Sequence, residues 1–179
     1  FIPTDQAAHV YDHVVAAGEK FGVVHAGLRA LGSLRMEKGY RDYGHDIDNT
    51  DTVLETGLGF AVAFDKPGGF IGRDALLARR ETGPLTRRLL QVRLVDPDPL
   101  MHHAENVMRD GVTAGYLNSE LRRQIIDAAV RLAMIEADVP VTSDYLASGA
   151  WSVDVAGVTH AAEVSLRPMY DPTNARIKA

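Results

Sequence analysis

At Glu81-Thr82-Gly83-Pro84 the apolar period of this chain changes, and that change constrains the fold more than any other feature. Before it, apolar residues recur at helical spacing. Ala7, Val10, Tyr11, Val14 and Val15 make one stripe, and Leu28, Leu31 and Leu34 another. After it, Leu90, Val92 and Leu94 alternate with Gln91, Arg93 and Val95, the period of a strand. Val107-Met108 and residues 112–117 flank Asp110-Gly111, and residues 151–155 and 158–166 flank Ala156-Gly157. Both are hairpin signals. Short strands joined by tight turns predict a small antiparallel barrel or sandwich. The expected class is α+β: helices and a few strands over residues 1–84, then an antiparallel, jelly-roll-like β-barrel over residues 85–179.

In the first part, Thr4 is placed to cap a helix, Asp5 suits its first turn, and Gly18 or Gly22 ends it. Residues 23–25 and 58–64 read as strands. Lys66-Pro67-Gly68-Gly69 is a turn, and residues 73–80 a short helix. The organising stretch is 26–48. Its helix stops at Gly39, and a polar segment carrying Tyr40 and Tyr43 follows, closed by Gly44-His45-Asp46. A helix that delivers charged and aromatic groups into irregular chain suits a binding site. It equally suits a solvated helix end with tyrosines packed on its flank, and the residues alone leave both readings open.

Several functions are excluded. Lysines and arginines number 19 against 24 acids, for a net charge of −5, and no basic run could track a phosphate backbone, so nucleic acid is not an expected partner. No apolar run reaches the roughly 20 residues that span a bilayer, so no membrane association is expected. With no cysteine, thiol chemistry and cysteine-bound zinc are out, and a cytoplasmic location is expected. No metal site is expected either. His9 and His13 lack a third ligand, and His102, His103 and Glu105 read as a polar turn. Asp46, Asp48 and Asp51 fail the calcium-loop pattern: Asp51 stands where glycine is needed, and Glu55 comes too early. Gly68, Gly69 and Gly72 match neither a dinucleotide fingerprint nor a P-loop. The chain opens with Phe-Ile-Pro rather than Met and is expected to be a piece of something longer.

Five ordered blocks go further. They are L-R-M-E-K-G-Y-R-D-Y-G-H-D-I at 34–47, L-E-T-G-L-G-F-A-V at 54–62, F-I-G-R-D-A-L at 70–76, V-M-R-D-G-V-T-A-G-Y at 107–116 and A-E-V-S-L-R-P-M-Y-D-P at 162–172. Together they resemble the aminomethyltransferase (glycine-cleavage T-protein) family, most of all the folate-binding module fused to FAD-dependent dimethylglycine and sarcosine dehydrogenases. The resemblance implies that residues 1–84 are the C-terminal part of the folate-binding domain and 85–179 its barrel. It also implies an activity. A methylene group on an amine nitrogen passes to tetrahydrofolate, after FAD in a separate upstream module has oxidised an N-methyl amine to an iminium. That chemistry needs a carboxylate to orient and activate the folate or amine, another to grip the pterin, and a closed cavity.

The family's catalytic aspartate and pterin-gripping glutamate would both fall upstream of residue 1. No catalytic residue is therefore expected in this chain, and the missing N-terminal part of the polypeptide is an expected partner beside folate and the amine. Leu31 stands where many T-proteins carry arginine, as in the fused dehydrogenases. The resemblance assigns folate contacts to Tyr40 first and Tyr43 second, with Arg35 and Glu37 as framework supporting them. Residues 119–137 depart from it. By themselves they read as an amphipathic helix, whereas the family has a loop and then a strand, and only Val130, Leu132, Ala133 and Met134 keep the strand's character. The alternative function is a non-catalytic scaffold or binding domain with the same fold.

Overall fold

The structure, a computed structural model, describes residues 1–118, 130–176 and 178. Helix α1 spans Ala7–Gly18 and continues through one tight turn, Glu19–Phe21, to Gly22, whose φ of +69° needs no Cβ-bearing residue. Thr4 does not cap it, because a separate tight turn over Thr4–Gln6 precedes the helix, with Pro3 at the cap position. Residues 23–25 form no strand, since no strand pairs with them among the described residues, and Val23 and Val24 are exposed.

Helix α2, Leu28–Glu37, ends as expected before Gly39, which takes a left-handed φ of +61°. Its buried side is not its leucine stripe. Leu28 and Leu31 are 85% and 60% exposed, while Gly32, Ser33, Met36 and Glu37 are buried. The reason is the neighbour it meets: Met36 packs with Leu89 and Leu132, with Ile47 and Met134 beside them. Residues 58–64 are not a strand either, because Gly59–Ala61 makes a tight turn. Helix α3 covers Arg73–Glu81, capped by Gly72.

Beyond Pro84 six antiparallel strands close into a barrel in the order β1-β4-β3-β2-β5-β6. They are β1 (Arg87–Leu94), β2 (Asn106–Arg109), β3 (Val112–Leu117), β4 (Val130–Glu136), β5 (Trp151–Val155) and β6 (Val158–Ser165). Closure leaves no edge to aggregate. Both hairpins carry two consecutive positive φ values, 53° and 81° at Asp110-Gly111 and 52° and 84° at Ala156-Gly157, the twist that matches paired strands. Leu90, Val92 and Leu94 point inward to meet Val107, Leu117, Ala133, Ile135 and Val153. Each such side chain contributes roughly 1.5–3 kcal/mol by leaving water. The alternate residues of β1, Leu89 and Gln91, face α2.

Residues 130–136 are thus a strand, which for that part decides between the two open readings in favour of the one the resemblance implied; residues 119–129 lie outside the described residues. A short helix α4, Ser143–Ala147, packs Leu146 against the core, and Trp151 Nε1 donates to the Leu146 carbonyl at 2.9 Å.

Candidate functional site

The site grows from the end of α2. Gly39 turns the chain out of the helix, and Arg35 reaches forward over that turn. One of its Nη1 hydrogen bonds goes to the Tyr40 carbonyl at 2.9 Å, and the same nitrogen pairs with Asp46 Oδ2. The Asp46 side chain is fully buried and also accepts from the Asp42 amide at 2.7 Å. These bonds fold residues 40–46 into a tight loop, closed by the Gly44 amide on the Ile47 carbonyl at 2.8 Å. Tyr40 and Tyr43 stand on its outer side, 52% and 68% exposed. Two exposed tyrosines are therefore carried on one loop whose backbone is held by buried electrostatics.

Beneath the loop, Arg41 crosses to the Thr56 carbonyl at 2.9 Å. Burial pushes its guanidinium below the usual value, with Asp46 partly opposing that shift. Glu37, the other residue expected to support the tyrosines, is buried near the end of α2. Gln91, on β1, donates to the Met36 and Glu37 carbonyls and accepts the Met169 amide at 2.6 Å. One buried amide thus ties α2, the barrel wall and the C-terminal segment together.

A cavity of about 300 Å³ lies between residues 44–51 and the barrel, bordered by His45, Asp46, Asp51, Arg87, His103 and Asn118. Arg87 pairs with Asp51 at 2.6 Å, and Asn118 Nδ2 donates to the Asp46 carbonyl at 3.1 Å. Asp46 Oδ1 is buried without a hydrogen-bond partner among the described residues. Asp48 closes an Asx turn, accepting from the Thr50 hydroxyl and amide at 2.7 Å each. Those two bonds hold its carboxyl below the usual range, against burial and with help from Arg87. Among the described residues no group of three acids or imidazoles could hold a metal ion. Gly68 and Gly69 belong to a turn and Gly72 to a helix cap, and among the described residues no strand leads into these three, unlike the strand–glycine–helix turn of a dinucleotide site.

Arg35, Glu37, Tyr40 and Tyr43 stand out in the sequence, and in the structure Arg35 of α2 bonds the Tyr40 carbonyl in the loop that carries both tyrosines. Sequence reasoning missed Asp46 as the centre of that loop. Asp46 reads as one of three acids in a polar turn, and its partner lies eleven positions back, outside any local spacing rule. Arg41, Gln91 and Asn118 were also missed, because each acts across elements far apart in sequence.

Two family models cover most of the chain: the GCVT N-terminal domain matches residues 1–66, and the glycine cleavage T-protein C-terminal barrel domain matches residues 87–171. The chain is 40% identical over 174 residues to 4-methylaminobutanoate oxidase (formaldehyde-forming) of Paenarthrobacter nicotinovorans, covering 97% of this chain and 20% of that protein. It is 36% identical over 179 residues to human mitochondrial sarcosine dehydrogenase, covering 99% and 19%. It thus spans about a fifth of the length of these relatives. The fold matches the crystal structure of the glycine cleavage system aminomethyltransferase T of Bartonella henselae with a TM-score of 0.76 at 21% identity, over 96% of this chain and 45% of that one. Among the described residues no helix is long and apolar enough to cross a membrane.

Proposed function

Because the chain belongs to the glycine-cleavage T-protein family, with relatives that include sarcosine dehydrogenase and aminomethyltransferases, we propose that it forms part of a folate-dependent one-carbon transfer module. In this reading the module takes a methylene unit from an N-methyl amine such as sarcosine or dimethylglycine and passes it to tetrahydrofolate. Residues 1–84 complete the folate-binding domain, and residues 85–179 form the barrel that supports it. The observation that carries the reading is the pair of exposed rings, Tyr40 and Tyr43, held by the buried Arg35–Asp46 pair.

Tyr40 offers its ring face and hydroxyl to the folate, and Tyr43 flanks it. Arg35 fixes the loop that presents them, and Glu37 anchors the helix behind it. The carboxylates that activate the reactants come from polypeptide outside this chain, as does the FAD that oxidises the amine. The exposed leucines of α2 fit this arrangement, being an apolar face on which the rest of the module packs.

A second reading is favoured by the 40% identical relative, which is named for forming formaldehyde. In it the one-carbon unit leaves as formaldehyde and is not captured by folate. Titration with tetrahydrofolate tests the first reading: the complete polypeptide that carries this chain binds it, and Tyr40→Ala weakens binding while the melting temperature holds. Binding unchanged by Tyr40→Ala and Tyr43→Ala removes these residues from the site.

A further inference from the structure

Arg88 is the first inward-facing residue of β1. Leu90, Val92 and Leu94 on the same face lie in the barrel core, and its cross-strand partner Ile135 is fully buried there. Its guanidinium therefore emerges at the barrel mouth beside α4. Two cavities meet at it. The larger, about 770 Å³, is walled by Leu146, Trp151, Leu166 and Arg167 as well as Arg88. The smaller, about 270 Å³, has Arg79, Arg80 and Arg88 as its charged walls.

Among the described residues no carboxylate answers this charge. Arg88 Nε is buried without a hydrogen-bond partner, and neither Arg88 nor Arg167 has an ion-pair partner among the described residues. Glu163, the one acid among the described residues of these walls, pairs with Arg93. Burial depresses the Arg88 guanidinium with nothing opposing it, whereas Asp46 opposes the same effect at Arg41 and Glu105 at Arg131. A partly buried guanidinium facing a cavity is stabilised by a bidentate carboxylate, and the indole and leucine side chains beside it suit a hydrocarbon.

We propose that this barrel mouth binds a small organic carboxylate, with its anionic end on Arg88 and its hydrocarbon part against Trp151, Leu146 and Leu166. The site does not depend on the folate reading, because it shares no residue with the loop around Tyr40. Arg167 adds charge at the rim, and Arg79 and Arg80 add it from the far side.

Trp151 is the only tryptophan of the chain and lies in the groove wall, so its emission reports occupancy directly. The full chain is titrated with hexanoate, with neutral hexanamide and with inorganic phosphate. Hexanoate is expected to change Trp151 emission saturably, and the other two to bind roughly tenfold more weakly or worse, the loss that follows from removing one charge-assisted contact. Arg88→Met is expected to cost hexanoate a similar factor, with Arg88→Lys falling between. Should Arg88→Met fail to fold, Arg167→Met gives a smaller weakening in the same direction. Equal binding of hexanoate and hexanamide, phosphate matching hexanoate, or Arg88→Met and Arg88→Lys both leaving hexanoate binding unchanged would each overturn the proposal.

Discussion

Lys38 Nζ lies 3.1 Å from Asp171 Oδ2, joining the end of α2 to a segment 133 residues later in the chain. Its other donors reach the Asp171 carbonyl at 2.9 Å and Asn174 Oδ1 at 2.7 Å, so all three ammonium hydrogens are used. Both side chains are nearly buried, 10% and 6% exposed. This contact and the Gln91 amide hold the C-terminal segment over the helix that carries the candidate site.

The Lys38–Asp171 contact predicts an acid limb in stability. Burial pushes the Asp171 carboxyl upward, but Lys38 and the backbone amides of Arg176 and Ala175 together hold it below the usual value. Asp48 is lowered too, by Thr50. A depressed folded value means that the stabilisation is present above the unfolded value of about 4 and is lost as pH falls through the folded one. Thermal melts should therefore show these contributions intact at neutral pH and disappearing below about pH 4. Lys38→Met should lower the melting temperature at pH 7 and make the acid limb shallower. An unchanged limb would remove Lys38 as its cause.

Breaking the Arg35–Asp46 pair from the carboxylate side should be severe. Asp46→Ala leaves a largely buried guanidinium without its partner and the Asp42 amide without its acceptor. The expected loss is roughly 3–5 kcal/mol in urea denaturation, with Asp46→Asn costing less because it keeps an acceptor. Equal effects of the two substitutions would show that charge is not what holds the loop.

Gly115 sits where β3 meets β4. A Cβ built there would lie 2.1 Å from the Met134 carbonyl oxygen, which is backbone and cannot step aside. Gly115→Ala should cost about 1–3 kcal/mol or more and speed amide exchange along Val112–Leu117 and Val130–Glu136. Protection that survives in both strands would show that the barrel widens at no cost.

Much of the barrel was legible in the sequence. Leu90, Val92 and Leu94 alternate because one face of β1 fills the core, and Asp110-Gly111 and Ala156-Gly157 mark turns that only a few residue pairs make well. The first part was less legible. The leucine stripe of α2 marks the helix but not the side it buries in this chain, which is Ser33, Met36 and Glu37, because the neighbour that Met36 meets lies on the barrel, far along the sequence. Residues 23–25 and 58–64 have strand-like composition but, among the described residues, no neighbouring strand to pair with, and pairing is not a local property. The tyrosines were visible as exposed candidates. The Arg35–Asp46 pair beneath them, formed across a loop, left no mark in local spacing.

The most direct test follows the fate of the one-carbon unit. The complete polypeptide bearing this chain is supplied with sarcosine or dimethylglycine labelled with carbon-13 at the N-methyl group, an electron acceptor and tetrahydrofolate, and the products are followed by NMR. The account predicts that the label appears in methylenetetrahydrofolate, and that Tyr40→Ala diverts it to free formaldehyde while amine oxidation continues. Label found only as formaldehyde in the unsubstituted protein, with tetrahydrofolate saturating, would contradict it.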